Sequence, residues 1–208
     1  FPESLILFFV KSINDSLMKK NFLISSRKQF EYYKMLGDRT FAQLKEEDFF
    51  WQYNEESNSI AIIIKHLWGN MLSRWTDFLT TDGEKEWRSR EAEFDAEIKD
   101  VNVLLQKWEA GWDCLFTALD SINEDNFDTP VFIRNQEHTI VEAINRQAGH
   151  YTYHIGQIVY IARMLKGKEW KNLSIPKGKS QAFNEMKFSK PLARDHFTTE
   201  FLDGTFNG

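Results

Sequence analysis

Two histidines four residues apart, His150 and His154, hold the clearest chemical potential in the 208-residue chain. On a helix, positions i and i+4 project from the same face one turn apart, so both rings can converge on one ion. Ala143, Gln147, Ile158, Ile161 and Leu165 share that side in steps of three or four, which directs the pair inward. Buried imidazoles cost free energy unless each is satisfied, and a metal is one solution. His66, between Ile63 and Leu67 in a second apolar ladder, can supply a third nitrogen from a neighbouring helix. Three neutral imidazoles leave at least one position open on a zinc-type ion, the arrangement of a reactive site rather than a purely structural one. Nitrogens each about 2.1 Å from one ion stand about 3–3.5 Å apart in tetrahedral geometry. The pattern is not that of the His-Glu-x-x-His proteases, because position 151 is Tyr151.

Other chemical groups carry weaker signals. Asn70, one turn after His66, and Gln157, three residues after His154, are placed to support the histidines. Arg74, Arg146 and Arg163 could receive an anionic substrate, although solvated helix faces are the simpler reading. His138, just before the capping Thr139, reads as a surface loop residue, and His196 falls in the C-terminal tail. Cys114 reads as a small buried hydrophobe, and Trp68, Trp108 and Trp112 as core.

Four long helical patterns must position these groups. The first spans residues 21–44, with Gly37 as a weak point. The second runs 60–79, capped by Ser57, Asn58 or Ser59 and ended near Gly83, a residue suited to a left-handed stop. Residues 84–93 read as a charged surface connection pinned by Trp87 and Phe94. The third helix spans 95–122 despite Gly111, and residues 125–137 form a loop or one brief extended segment. The fourth begins at a capping box, Thr139 with Glu142, and ends at Gly167. The expected fold is all-α, a four-helix bundle in one domain over residues 21–190. Residues 1–20 read as a helical lead-in, with Met18 a plausible natural start, and residues 191–208 as a polar tail.

Composition narrows the classes. Hydrophobic residues make up 42% of the chain and charged residues 27%, ordinary for a globular protein. Ten Gly and four Pro are few for this length and favour long helices over many short strands. A net charge of −5 disfavours a broad nucleic-acid surface. A single cysteine excludes an intrachain disulfide and fits a reducing compartment. Apolar runs at residues 5–10 and 60–64 are too short for a membrane span. The expectation is a cytoplasmic protein with neither nucleic-acid nor membrane partners. The aromatic surplus, 15% of residues, suggests apolar surface enough for a homodimer.

Segments SIAIIIKHL at 59–67 and NRQAGHYTYHIGQI at 145–158, with RWTDFLTTDGEK at 74–85 and SIPKGKS at 174–180, resemble the DinB-like superfamily, most of all a subgroup of unknown function. The resemblance covers residues 21–190. It implies a four-helix bundle, usually dimeric, with a three-histidine site for zinc, nickel or a similar divalent ion at His66, His150 and His154. Characterised relatives of that superfamily include bacillithiol transferases and mycothiol-dependent maleylpyruvate isomerases. The expected function is therefore a metal-dependent transferase that uses a low-molecular-weight thiol and an electrophilic substrate. The alternatives are a metal-dependent hydrolase and a non-catalytic metal-binding stress-response dimer. No thiol-binding or catalytic residue carries over from the resemblance.

Overall fold

A computed structural model describes residues 3–95 and 98–204. Six α-helices and one two-stranded hairpin make up the regular structure among these residues, an all-α protein. The long helices are α1 (Glu3–Phe41), α2 (Ile60–Trp75), α3 (Val101–Asp120) and α4 (Ile140–Lys166). Strands β1 (Val131–Ile133) and β2 (Gln136–His138) pair antiparallel between α3 and α4. Short helices α5 (Ser180–Phe188) and α6 (Thr199–Leu202) follow. Among the described residues no helix is long and apolar enough to cross a membrane.

Helix α2 packs against α3 and α4, and α1 packs against α4 and α3. Each contributes one large ring to a shared centre. Phe30 of α1 lies 6.4 Å from both Trp75 of α2 and Trp112 of α3, and 6.0 Å from Tyr151 of α4. Such tilted and edge-on aromatic pairs add to the area they bury. The polar ends are satisfied inside the core: Trp75 Nε1 donates to the Tyr151 hydroxyl at 2.9 Å, which donates to Asn70 Oδ1 at 3.1 Å.

The helix starts follow local chemistry. Ser59 caps α2 by accepting from the Ile62 N–H. Asp100 caps α3, and Thr139 with Glu142 forms the reciprocal capping box of α4. Gly167 ends α4 with φ +52°. Several boundaries differ from expectation. The lead-in is continuous with α1 rather than separate from it. Helix α2 stops at Trp75, not near residue 79, because the chain turns through Asp77 at φ +50°, whose carbonyl then accepts from the Thr80 and Thr81 N–H groups. Gly83 is not left-handed; a Cβ there would sit 3.2 Å from both Arg74 Cδ and Ile133 Cγ1, tight enough that a neighbouring side chain must give by a few tenths of an ångström. Helix α3 begins at Val101 rather than 95, and positions 96 and 97 of the expected span lie outside the described residues. Residues 131–138 form a hairpin instead of a loop or a single extended segment. Its two turn residues, Arg134 and Asn135, both have positive φ, the geometry that matches strand twist in a two-residue loop.

Part of the expected polar tail packs on α1. Thr198 and Phe201 are buried against α1, where Arg39 donates to the Phe201 carbonyl at 2.8 Å. Residues 1–2 of the lead-in and 205–208 of the tail lie outside the described residues.

Gly37 does not weaken α1; it admits Trp108. A Cβ at this position would lie 2.5 Å from Trp108 Cζ2. The indole cannot easily retreat, because its Nε1 donates to Asp38 at 2.7 Å. Alanine in an open helix position gains about 1 kcal/mol over glycine, but overpacking a core costs about 1–3 kcal/mol. Gly37→Ala is therefore expected to lower the urea unfolding midpoint, and a raised midpoint would show that the helices adjust freely.

Candidate metal centre

The three histidines come together. His66 Nε2 lies 3.2 Å from His150 Nε2, and His154 Nε2 lies 3.1 Å from the same atom. One ligand nitrogen from each of the three lies within 4.8 Å of the other two. His66 and His154 are buried and His150 is half-buried. The cluster is therefore close enough to hold a metal ion.

Hydrogen bonds at the far side of two rings set their tautomers. His66 Nδ1 lies 2.8 Å from Glu93 Oε2, and His154 Nδ1 lies 2.8 Å from Gln157 Oε1. A carboxylate and an amide oxygen only accept, so both Nδ1 atoms carry the proton. Both Nε2 atoms are thus left with bare lone pairs aimed at His150. A single proton on His150 Nε2 can serve one of them and not the other. A cation among the three nitrogens relieves the conflict, and three neutral imidazoles suit zinc and its neighbours among the transition metals. Carboxylate or carbonyl partners behind the ligand rings are the usual support for such a site.

Glu93 was not legible as part of the site. The stretch read as a surface connection turns inward at its end: residues Glu91–Phe94 form a 3₁₀ turn that packs on α2. The Glu93 carboxylate is buried and also accepts from Arg88 at 2.7 and 3.0 Å. Burial alone would raise its pKa, but His66 and Arg88 hold the carboxyl below its ordinary value. Gly69, one turn along α2 from His66, leaves the space that Glu93 fills; a methyl group there would overlap the carboxylate. Phe94 stacks on His66 with centroids 5.0 Å apart, whereas Trp87 is 59% exposed and pins nothing.

Other candidates fall on either side. Gln157 meets His154 as described, but Asn70 accepts from Tyr151 and hydrogen-bonds no histidine ring. His138 lies on β2 beside Arg146, and His196 lies 3.1 Å from Ser25 on α1, both away from the cluster. Cys114 is half-buried beside Thr76, and burial raises its thiol pKa, so it is no ready nucleophile. Trp108 and Trp112 are core, while Trp68 is only partly buried. A cavity of about 440 Å³ opens on the cluster, lined by all three histidines, Asn70, Arg74 and Arg146 among others. Arg163 is exposed on α4 and does not line it.

The site defines a mostly helical protein with a three-histidine cluster at the base of an open cavity. Residues 17–179 match the family described as protein of unknown function (DUF1572), and the chain belongs to that family. No curated protein and no solved structure matches the chain.

Burial holds His150 and His154 neutral, with pKa values lowered from 6.5 to about 3 and about 4; the neighbouring imidazoles add to the shift. Above pH 6.5 both residues are neutral in folded and unfolded chains and contribute no pH dependence. As pH falls below 6.5, the unfolded chain takes up protons that the folded chain refuses, so stability is lost until the folded values are reached. The metal-free protein should therefore show a melting temperature that falls more steeply from pH 6.5 to 4 than that of His150→Gln. Parallel thermal melts of the two proteins would refute this if their slopes coincide.

Proposed function

We propose that the chain is a DinB-like four-helix bundle of α1 to α4 that binds a divalent metal ion, zinc or nickel, through His66, His150 and His154, and transfers a low-molecular-weight thiol to an electrophilic substrate. The observation that carries this reading is the convergence of three imidazole nitrogens, two with lone pairs fixed by Glu93 and Gln157, at the base of an open cavity. An ion held there supplies the means to keep a thiol as its reactive thiolate at neutral pH.

The chain's own residues supply orientation and access. Glu93 and Gln157 fix two ring planes and the nitrogen each presents. The stacked Phe94 covers one face of His66. The cavity leaves room for a second reactant beside the cluster, which a sealed structural site would not. Because Cys114 does not line the cavity, the thiol comes from solution rather than from the chain.

Metal analysis of anaerobically purified protein, followed by a screen of small thiols against electrophiles, tests the reading directly. The wild type should carry about one equivalent of metal per chain, and His154→Ala should lose metal and transfer activity together while keeping its helix content. A variant that loses its metal yet transfers thiol at the full rate would sink the catalytic assignment. Turnover without added thiol would favour the hydrolase, and metal without any turnover the non-catalytic protein.

The same reading extends to a homodimer. Tyr153, Tyr160 and Met164 are exposed along one stripe of α4, and nothing lies within 4 Å of a Cβ placed at Gly149 or Gly156 on that side. Large rings beside open notches suit a second copy of the same helix. Light scattering at micromolar concentration should give twice the 24.6 kDa chain mass, with Tyr160→Glu shifting it toward the monomer. A monomer mass for the wild type counts against the dimer.

A further inference from the structure

Five arginines line the cavity above the histidine cluster: Arg74, Arg88, Arg90, Arg134 and Arg146. Among the described residues no Asp or Glu lines it. They come from four separate parts of the chain, namely α2, the segment just before the 3₁₀ turn, the β1–β2 turn and α4. Two of them are built into the wall. Arg74 and Arg88 are buried, Arg88 clamped on Glu93 and Arg74 on Glu84 and the Gly83 carbonyl. Arg74 Nε is also buried without a partner.

The other three stand at the mouth with much of their hydrogen-bonding capacity unspent. Arg134 donates from Nε to Glu84, which Arg74 already shares, and its side chain is 57% exposed. Arg146 Nη1 lies 3.2 Å from His138 Nε2, and among the described residues no carboxylate pairs with it. Arg90 lies over the Phe94 ring and reaches the exposed Glu91 at 3.6 Å. Phe94 itself stacks on His66, so the mouth and the cluster share one ring. Glu93 pairs with Arg88, and Glu84 with Arg74, Arg88 and Arg134, so with the exposed Glu91 three carboxylates meet these five guanidinium groups.

The placement of Arg134 is itself built. The turn residues Arg134 and Asn135 adopt left-handed backbone, which non-glycine residues enter only at a cost. The Asp82 carboxylate offsets that cost by accepting from both N–H groups, at 2.8 and 2.7 Å. Burial alone would raise the Asp82 carboxyl, but the N–H groups of Asn135, Glu84 and Arg134 together hold it below its ordinary value. Asp82 precedes Gly83 and Glu84, so one short segment anchors the turn and shares a carboxylate between Arg74 and Arg134.

We infer that the cavity binds an oxyanion, a carboxylate or phosphate group on the substrate, held by Arg90, Arg134 and Arg146 beside the histidine cluster. A guanidinium offers paired N–H donors that match such a group, and a cavity lined by one sign of charge concentrates the opposite sign. This inference deepens the proposed function, since it names the chemical class of the molecule that enters the same cavity. It concerns the arginines alone and does not require the metal.

The test uses metal-free full-length protein at constant ionic strength. Inorganic phosphate and succinate are titrated separately by calorimetry into wild type, Arg134→Gln, Arg146→Gln and the double variant. Both substituted side chains are exposed, and thermal melts without anion should coincide with wild type. Wild type should bind at least one of the two anions with submillimolar affinity; each single variant should bind about tenfold more weakly, and the double variant should show no saturation. A preference for phosphate assigns a phosphoryl ligand, and a preference for succinate a carboxylate. Absence of binding up to about 10 mM overturns the inference, as does binding indifferent to both substitutions. Failure of the metal assignment leaves this result standing, because no metal is present. A protein that binds metal but neither anion overturns this inference alone.

Discussion

The hydrogen bond from His66 Nδ1 to Glu93 decides what the rest of the site can do. It places the proton on the outer nitrogen and leaves Nε2 bare toward the other two rings. Had the carboxylate been absent, His66 could turn its proton inward and bond His150 as an ordinary buried imidazole. With it present, and with Gln157 doing the same for His154, one proton on His150 Nε2 cannot serve both bare nitrogens. The conflict is therefore imposed by groups behind the rings and not by the rings themselves.

That hydrogen bond depends in turn on how closely the chain approaches α2. Glu93 reaches His66 only because Gly69 offers no side chain to block it. Arg88 accompanies Glu93 and compensates its charge, so the carboxylate can be buried without being protonated. The same economy recurs in the core. Gly111 lets α3 lie against Trp68 and Met71 of α2, and Gly37 lets Trp108 lie against α1. His66 of α2 meets His150 and His154 of α4, and the rings of Phe30, Trp75, Trp112 and Tyr151 pack where the four long helices come together.

The segments between helices shape what meets the site. The Glu91–Phe94 turn brings Phe94 onto His66, and the β1–β2 hairpin carries Arg134 to the rim of the cavity. Both lie in long connections whose polarity disguises their role. Arg88 and Glu93 look like solvent-exposed charges when read in order, yet each is nearly inaccessible because each finds the other. Asp82 likewise looks like a turn residue after a helix, although its work is done on N–H groups more than fifty positions later.

The amino-acid sequence by itself determined the features that depend on near neighbours along a helix. The 3.6-residue period placed α2 and α4, the Thr139 and Glu142 pair started α4, Gly167 ended it, and the four-residue spacing put His150 and His154 on one face. His66 was legible as a third ring because it too lies on an inward helical face. Tertiary structure decided everything that rests on contacts between distant segments: the stop of α2 at Trp75, the hairpin, the packing of residues 198–201 on α1, and the Glu93 partner of His66. A helix repeats its neighbours every turn and leaves a periodic trace. A carboxylate that folds back across twenty-seven residues leaves none, because its burial is set by the arginine, the glycine and the histidine it meets only after folding.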